Sequence, residues 1–145
     1  MLIRVLVFSA IFVASGSALA DTLKSESELR PFAESVMKHV GVNNLTAAFK
    51  QMQPYVVISE SEFQTAVLSS KSQREQYGAR YGNAVGYEYI EQKKVGDSLL
   101  RITFIEKTDK HALPWTFYFY KSSKGWILNS FSWSDKVQAL FTLDQ

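Results

Sequence analysis

The chain contains no cysteine among its 145 residues. Disulfide bonds are therefore excluded, together with cysteine metal sites, thiol catalysis and lipid attachment to an N-terminal cysteine. Without such cross-links the fold must depend on its hydrophobic core. A domain of this size buries roughly two-thirds of the surface of its unfolded chain, and 46% of the residues are hydrophobic. We therefore expect one self-sufficient globular domain and no metal or other cofactor.

The chain also lacks an excess of charge of one sign. It contains 16 basic and 14 acidic side chains, and no run of like charge is longer than two residues. Nucleic-acid-binding domains usually have a basic stripe or patch. We therefore expect no nucleic-acid partner.

The longest apolar run lies at the N-terminus. Arg4 is followed by the apolar segment 5–13 and then by the small residues Ala18 and Ala20. This order is typical of a secretory signal peptide, and the run is too short to span about 30 Å of hydrocarbon. We predict cleavage after Ala20, export to the periplasm and no stable membrane anchor afterwards. The predicted organisation is a signal peptide at 1–20 and a single domain at 21–145.

Helix signals dominate the first half of the predicted mature domain. Leu29, Phe32, Val36 and Val40 form one apolar stripe at helical spacing, which predicts a helix over 27–40. Ser25 and Glu28 have the spacing of a capping box. Pro31 requires that the helix begins later or bends, and Gly41 is expected to end it in a left-handed conformation.

Two more helices are predicted after this one. Asn43 or Asn44 can cap the second helix, which ends before Pro54. Ser59 and Glu62 form a second capping box and begin the third helix, which extends to about residue 81. Between these two helices, the segment 55–58 is either an edge strand or a buried connection.

Four strands are predicted in the second half, and a helical turn capped by Asp135 follows them. Gly96-Asp97 is a two-residue hairpin signal. Short turns between consecutive strands predict an antiparallel meander, and the separation of helices from strands predicts the α+β class. The predicted strands are 87–94, 98–106, 115–121 and 126–133.

Aromatic residues are concentrated in this predicted sheet. By alternation, Trp115, Phe117 and Phe119 share one face, which we expect to pack against the helices. The opposite face is predicted to combine Tyr118, Tyr120, Trp126 and Leu128 into one apolar surface. A contiguous exposed patch of this kind usually marks an interface, so we expect a ligand or partner, for example a second copy, to cover it.

Four stretches resemble the nuclear transport factor 2-like, or cystatin-like roll, superfamily, and in particular a group of small exported bacterial proteins with no assigned activity. The resemblance implies N-terminal helices packed on a curved four-stranded antiparallel meander, with a conical pocket between them. Members serve as enzymes, carriers and dimerising modules, so the fold does not select a function. The stretches are 86–89 (GYEY), 95–101 (VGDSLLR), 110–120 (KHALPWTFYFY) and 125–131 (GWILNSF).

No catalytic motif is visible in the chain. The strand carboxylates Glu88, Glu91 and Glu106 are interpreted as solvated charge, His39 as a helix-end cation and His111 as a loop residue. Two histidines that are distant in sequence do not predict a metal site. The resemblance keeps one alternative open, a small lyase or isomerase that uses a pocket carboxylate or histidine for proton transfer.

Arg101 interrupts an apolar strand and is expected opposite Gln92. Two interpretations remain, an outward arginine lying over aromatic rings or an anchor for an anion. With Tyr118, Tyr120 and Trp126 it completes the set of candidate contact residues.

The sequence thus predicts a non-catalytic binding or interaction module. Its target is either a small apolar ligand in the cone or a protein partner, including a homodimer, on the outer sheet face. A deep cavity with a buried carboxylate would favour the enzyme alternative. A cone filled by Phe104, Trp115 and Phe117 would favour an interaction module.

Overall fold

The computed structural model describes residues 20–142, which form three α-helices followed by a four-stranded antiparallel sheet. The predicted α+β class and the meander order are therefore confirmed. Short 3-10 turns precede the first helix, follow the second and end the described chain. The helices are α1 (Leu29–Val40), α2 (Leu45–Met52) and α3 (Glu60–Tyr81), and the strands are β1 (Ala84–Val95), β2 (Leu99–Thr108), β3 (Ala112–Ser122) and β4 (Gly125–Trp133).

The predicted signal peptide lies, except for Ala20, outside the described residues, and it stays a prediction. Asp21, the predicted first residue of the mature chain, donates its backbone N–H to the Pro54 carbonyl at 2.7 Å. Among residues 20–142, no helix combines the length and the hydropathy needed to cross a membrane.

The predicted capping box forms, but it begins the 3-10 turn Glu26–Glu28 that leads into α1 rather than the α-helix itself. The Glu28 carboxylate accepts the backbone N–H groups of Lys24 at 2.6 Å and Ser25 at 2.7 Å. The α-helix starts at Leu29, so Pro31 lies in the first turn, where its missing N–H has no intrahelical partner to lose.

The predicted left-handed stop at Gly41 is wrong, because its φ is −66° and the left-handed residue is Asn43, with a φ of +62°. Glycine is required at position 41 for a different reason, because the backbone of Gly86 approaches it closely. A Cβ on residue 41 would lie 3.0 Å from the carbonyl carbon of Gly86. Helix α1 can therefore end directly against β1.

The caps of the next two helices are also confirmed. Asn44 Oδ1 accepts the N–H of Ala47 at 3.1 Å at the start of α2, and the Ser59–Glu62 capping box begins α3. Between them, Val56 makes a single parallel bridge to Leu128. The segment 55–58 is therefore a connection along the edge of β4 rather than a strand.

The hairpin between β1 and β2 differs from the predicted one. Val95 pairs with Leu99, so the turn has three residues, 96–98, and Gly96 adopts a φ of +59°. The longer turn moves the register by one residue. Arg101 consequently pairs with Lys93 and not with Gln92.

The core fills the space between the helices and one face of the sheet. Trp115, Phe117 and Phe119 are fully buried there, as predicted. The Phe104 and Phe117 rings meet edge to face at 6.0 Å, and Trp115 stacks on Trp133 at 5.5 Å. Aromatic side chains therefore occupy the region where the resemblance implies a conical pocket.

The outward orientation predicted for Trp126 and Leu128 is wrong, because both are buried in this core. Strand β4 has a bulge: Tyr118 pairs with Ser130, but the next residue, Phe119, pairs with Leu128. A bulge inserts an unpaired residue and inverts the alternation beyond it. The large side chains of β4 therefore point towards the helices both before and after Asn129.

Candidate functional site

The four candidate contact residues do not share one surface. Arg101, Tyr118 and Tyr120 lie on the outer face of the sheet, which is turned away from the helices, and the two tyrosines are 39% and 42% exposed. Trp126 lies in the core, where its backbone forms a bridge with Leu23. The predicted surface is therefore smaller and more polar than the sequence indicates.

Strand pairing arranges the outer face into rows that run across all four strands. The basic row is Lys93, Arg101, Tyr118 and Ser130, and the apolar row beside it, nearer the β1–β2 turn, is Val95, Leu99, Tyr120 and Ile127. On the other side of the basic row, the polar row is Glu91, Thr103, Thr116 and Ser132.

An open cleft of about 380 Å³ lies over the basic row and over the part of the apolar row formed by β1 and β2. Its apolar lining includes Val95 and Leu99, which are 60% and 48% exposed. Lys93, Arg101 and Ser130 supply polar groups. A concave apolar surface with a few convergent polar groups is the usual form of a small-molecule site.

Arg101 is the central charged group of this face. Its Nη2 donates to Glu91 Oε1 at 2.6 Å, and within residues 20–142 its buried Nε has no hydrogen-bond partner. Among these residues, the arginines that lie over aromatic rings are Arg30 and Arg80. The aromatic-stacking interpretation of Arg101 is therefore not supported, and donor groups of its guanidinium remain unused.

The charges around the cleft do not cancel. Lys93 and Arg101 contribute two positive charges, and Glu91 beside them contributes one negative charge, so the local net charge is +1. Lys107 and Glu88 form a separate pair further along β1 and β2, with 3.4 Å between Nζ and Oε2. An anion with a single charge would make the cleft neutral.

A second cluster of charged side chains lies in the core, although the sequence predicts no charge there. Glu106 is fully buried, so its interpretation as solvated charge is wrong. Arg74 of α3 donates from Nε to Glu106 Oε1 at 3.0 Å and places Nη2 2.8 Å from the same oxygen. The Trp115 indole N–H donates to Oε2 at 3.1 Å.

Burial raises the pKa of Glu106, and the Arg74 guanidinium and the Trp115 N–H oppose this shift. Both carboxylate oxygens have partners and the side chain is closed to solvent. Proton transfer requires a group within reach of the substrate. The geometry of Glu106 therefore fits a structural role that joins α3 to the sheet.

The sequence contained a signal for this ion pair. Glu106 continues the alternation of Leu100, Ile102 and Phe104 onto the core face of β2, and Arg74 continues the stripe of α3 that begins at Phe63. Two opposite charges on two core-facing stripes predict a buried pair.

His111 belongs to a small polar cluster at the start of β3, together with Tyr81 and Asp135. His111 Nε2 lies 2.8 Å from the backbone oxygen of Asp135, and its ring stacks on Tyr81 at 4.3 Å. The Asp135 carboxylate accepts the Tyr81 hydroxyl at 2.8 Å, and this bond lowers the pKa of Asp135. Within residues 20–142, no three His, Asp or Glu side chains are grouped closely enough to hold a metal ion.

Comparison with known proteins finds no protein family, no curated protein and no solved structure that matches this chain. The resemblance to the nuclear transport factor 2-like superfamily stays a prediction. Function must therefore be inferred from the geometry of the chain itself.

Proposed function

We propose that the mature protein is an exported, non-catalytic binding module, and that its site is the cleft on the outer face of the sheet. The observation that supports this proposal most is the contrast between the two faces. The centre of the inner face is filled by its own aromatic side chains, and the open cleft of about 360 Å³ beside it, between α3 and β4, has no charged side chain in its lining. The outer face instead exposes both apolar and basic side chains around a concavity.

A ligand in the cone would have to displace packed side chains. Phe104, Trp115 and Phe117 are each fully buried, and protein interiors have little free volume. The opening of a cavity there would cost several kcal/mol per displaced aromatic residue. The cone is thus the less favourable of the two predicted locations for a ligand.

The cleft favours a small molecule with an apolar body. Its volume of about 380 Å³ falls within the range of small-molecule sites. A second copy packed sheet to sheet fits less well, because Trp126 and Leu128 are not available to the interface. A two-fold interface centred on the cleft would also place one concavity against another.

The test uses the mature chain, 21–145, and two eight-carbon probes, octan-1-ol and octanoate. Binding is followed by the amide shifts of an isotope-labelled sample. We expect at least one probe to saturate with shifts centred on Val95, Leu99 and Tyr118. The exchange Leu99→Ser should weaken this binding at least fivefold, because it removes apolar contact area.

The matched control is Leu68→Ser, which also replaces an exposed leucine but lies on α3 and should leave binding unchanged. Shifts centred on Phe104 and Phe117 would place the ligand in the cone. Either that result or the absence of binding by both probes would overturn the proposal.

A further inference from the structure

We propose that the cleft selects an amphipathic molecule with a single carboxylate, which Arg101 and Lys93 bind while the apolar part lies over Val95 and Leu99. This inference rests on the proposed function, since it assigns the chemical class of ligand to the same site. The observation that supports this inference is that the basic row and the apolar row lie side by side on the outer face.

The basic and apolar rows lie in the order that an amphipathic carboxylate requires. Lys93 pairs with Arg101, and their neighbours in the next outward-facing pair, Val95 and Leu99, are also paired. Paired residues on neighbouring strands lie about 5 Å apart, and successive outward positions on one strand about 7 Å apart. A molecule that places its anionic group between the two cations therefore extends its carbon chain directly over the apolar row.

Arg101 has more hydrogen-bond donors than its contact with Glu91 uses. A guanidinium has five N–H donors in a planar fork that matches a carboxylate. Glu91 Oε1 contacts Nη2, and Nε has no partner within the described chain. Arg101 can therefore bind a second carboxylate if its side chain turns towards the cleft, or if that carboxylate replaces Glu91.

The carboxylate of Glu91 would compete with the carboxylate of the ligand for the Arg101 guanidinium. It occupies part of the guanidinium and reduces the local positive charge from two to one. Its removal should strengthen the binding of an anion and leave the binding of a neutral molecule of equal length unchanged. A gain of affinity is a useful criterion, because a misfolded variant cannot produce it.

The experiment compares octanoate with octan-1-ol by calorimetry on four variants and the unchanged mature protein. For octanoate we expect Arg101→Gln to weaken binding about tenfold and Lys93→Gln about threefold, and Glu91→Gln to strengthen it about threefold. Octan-1-ol binding should change less than twofold in all of them. Lys107→Gln, which removes an exposed cation paired with Glu88, is the matched control and should have no effect on either probe.

Salt provides a second readout. Raising the ionic strength from about 0.05 M to 0.5 M should weaken octanoate binding several-fold through screening, with octan-1-ol unaffected. If both probes bind equally and the charge variants change neither, the assignment of an anion is refuted and the proposed function stands. If neither probe binds, the proposed function fails as well.

Discussion

Replacement of Arg74 by methionine should destabilise the folded protein by about 3–5 kcal/mol at pH 7, because it leaves a buried carboxylate without its counter-ion. Arg74 is 6% exposed and Glu106 is fully buried, with 2.8 Å between Nη2 and Oε1. At an effective dielectric constant of about 20, two charges at this distance attract by roughly 6 kcal/mol. Desolvation offsets most of this attraction in the intact pair. After the exchange the desolvation cost of Glu106 remains, and only the hydrogen bond from the Trp115 N–H still opposes it.

The double variant Arg74→Met/Glu106→Gln should be clearly more stable than Arg74→Met alone. No charge then remains in the core, and the glutamine oxygen can still accept the Trp115 N–H. We expect a coupling energy of at least about 2 kcal/mol from the double-mutant cycle. Arg80→Met, which replaces an exposed arginine on the same helix, is the matched control and should change stability by less than about 1 kcal/mol, the upper contribution of its exposed contact with the Tyr81 ring.

The loss of stability in Arg74→Met should also depend on pH, and its direction can be stated. Burial raises the pKa of Glu106, and removal of Arg74 takes away a group that opposes this rise. A carboxyl whose pKa is higher in the folded state favours folding below its unfolded pKa of about 4.3, and this benefit is lost as the pH rises through the folded pKa. Relative to the double variant, Arg74→Met should therefore be least destabilised near pH 4 and lose stability towards pH 7.

Urea unfolding followed by far-ultraviolet circular dichroism measures all these quantities without reliance on the fluorescence of Trp115. A loss below about 1 kcal/mol for Arg74→Met at pH 7, or single-variant losses that simply add, would refute the buried pair. A penalty that does not change between pH 4 and pH 7 would refute the assignment of its cause to the Glu106 charge.

Three further outcomes are expected. Trp115→Ala should cost about 3–5 kcal/mol in urea melts, and a loss under about 1 kcal/mol would mean that this face of the sheet is solvated. Mass spectrometry of the exported protein should find Asp21 as the first residue; a start far from it would disprove the predicted cleavage site. Sedimentation at about 100 μM should show a monomer, since a sheet-to-sheet dimer would cover the cleft; a dimer that Tyr120→Glu dissociates would instead establish the homodimer predicted from the sequence.

Local signals predicted most of the fold. The two capping boxes, the Asn44 cap and the short turns between strands act through neighbouring residues, so their physics is visible in the sequence itself. The bulge of β4 is different. It occurs where the strand edge meets Leu23 and Val56, which are far away along the chain, and no pattern within 126–133 reveals it.

The site was predictable only in part. Arg101, Tyr118 and Tyr120 could be placed on the outer face because alternation in β2 and β3 is regular. The pairing of Arg101 with Lys93 depends on one extra residue in the turn at 96–98, and a shift of one residue changes every cross-strand neighbour. The cleft itself arises from the combined register of four strands, which no single segment encodes.

The bridge between Leu23 and Trp126 has a consequence for the order of folding. The segment at Leu23 joins the sheet next to its last strand, so a loop of about a hundred residues must close before this segment is fixed. Contacts of such long range tend to form late and slow the folding of a domain. We therefore expect the segment around Leu23 to pair with β4 late in folding, and until it does so the edge of β4 is open to pairing with other unfolded chains.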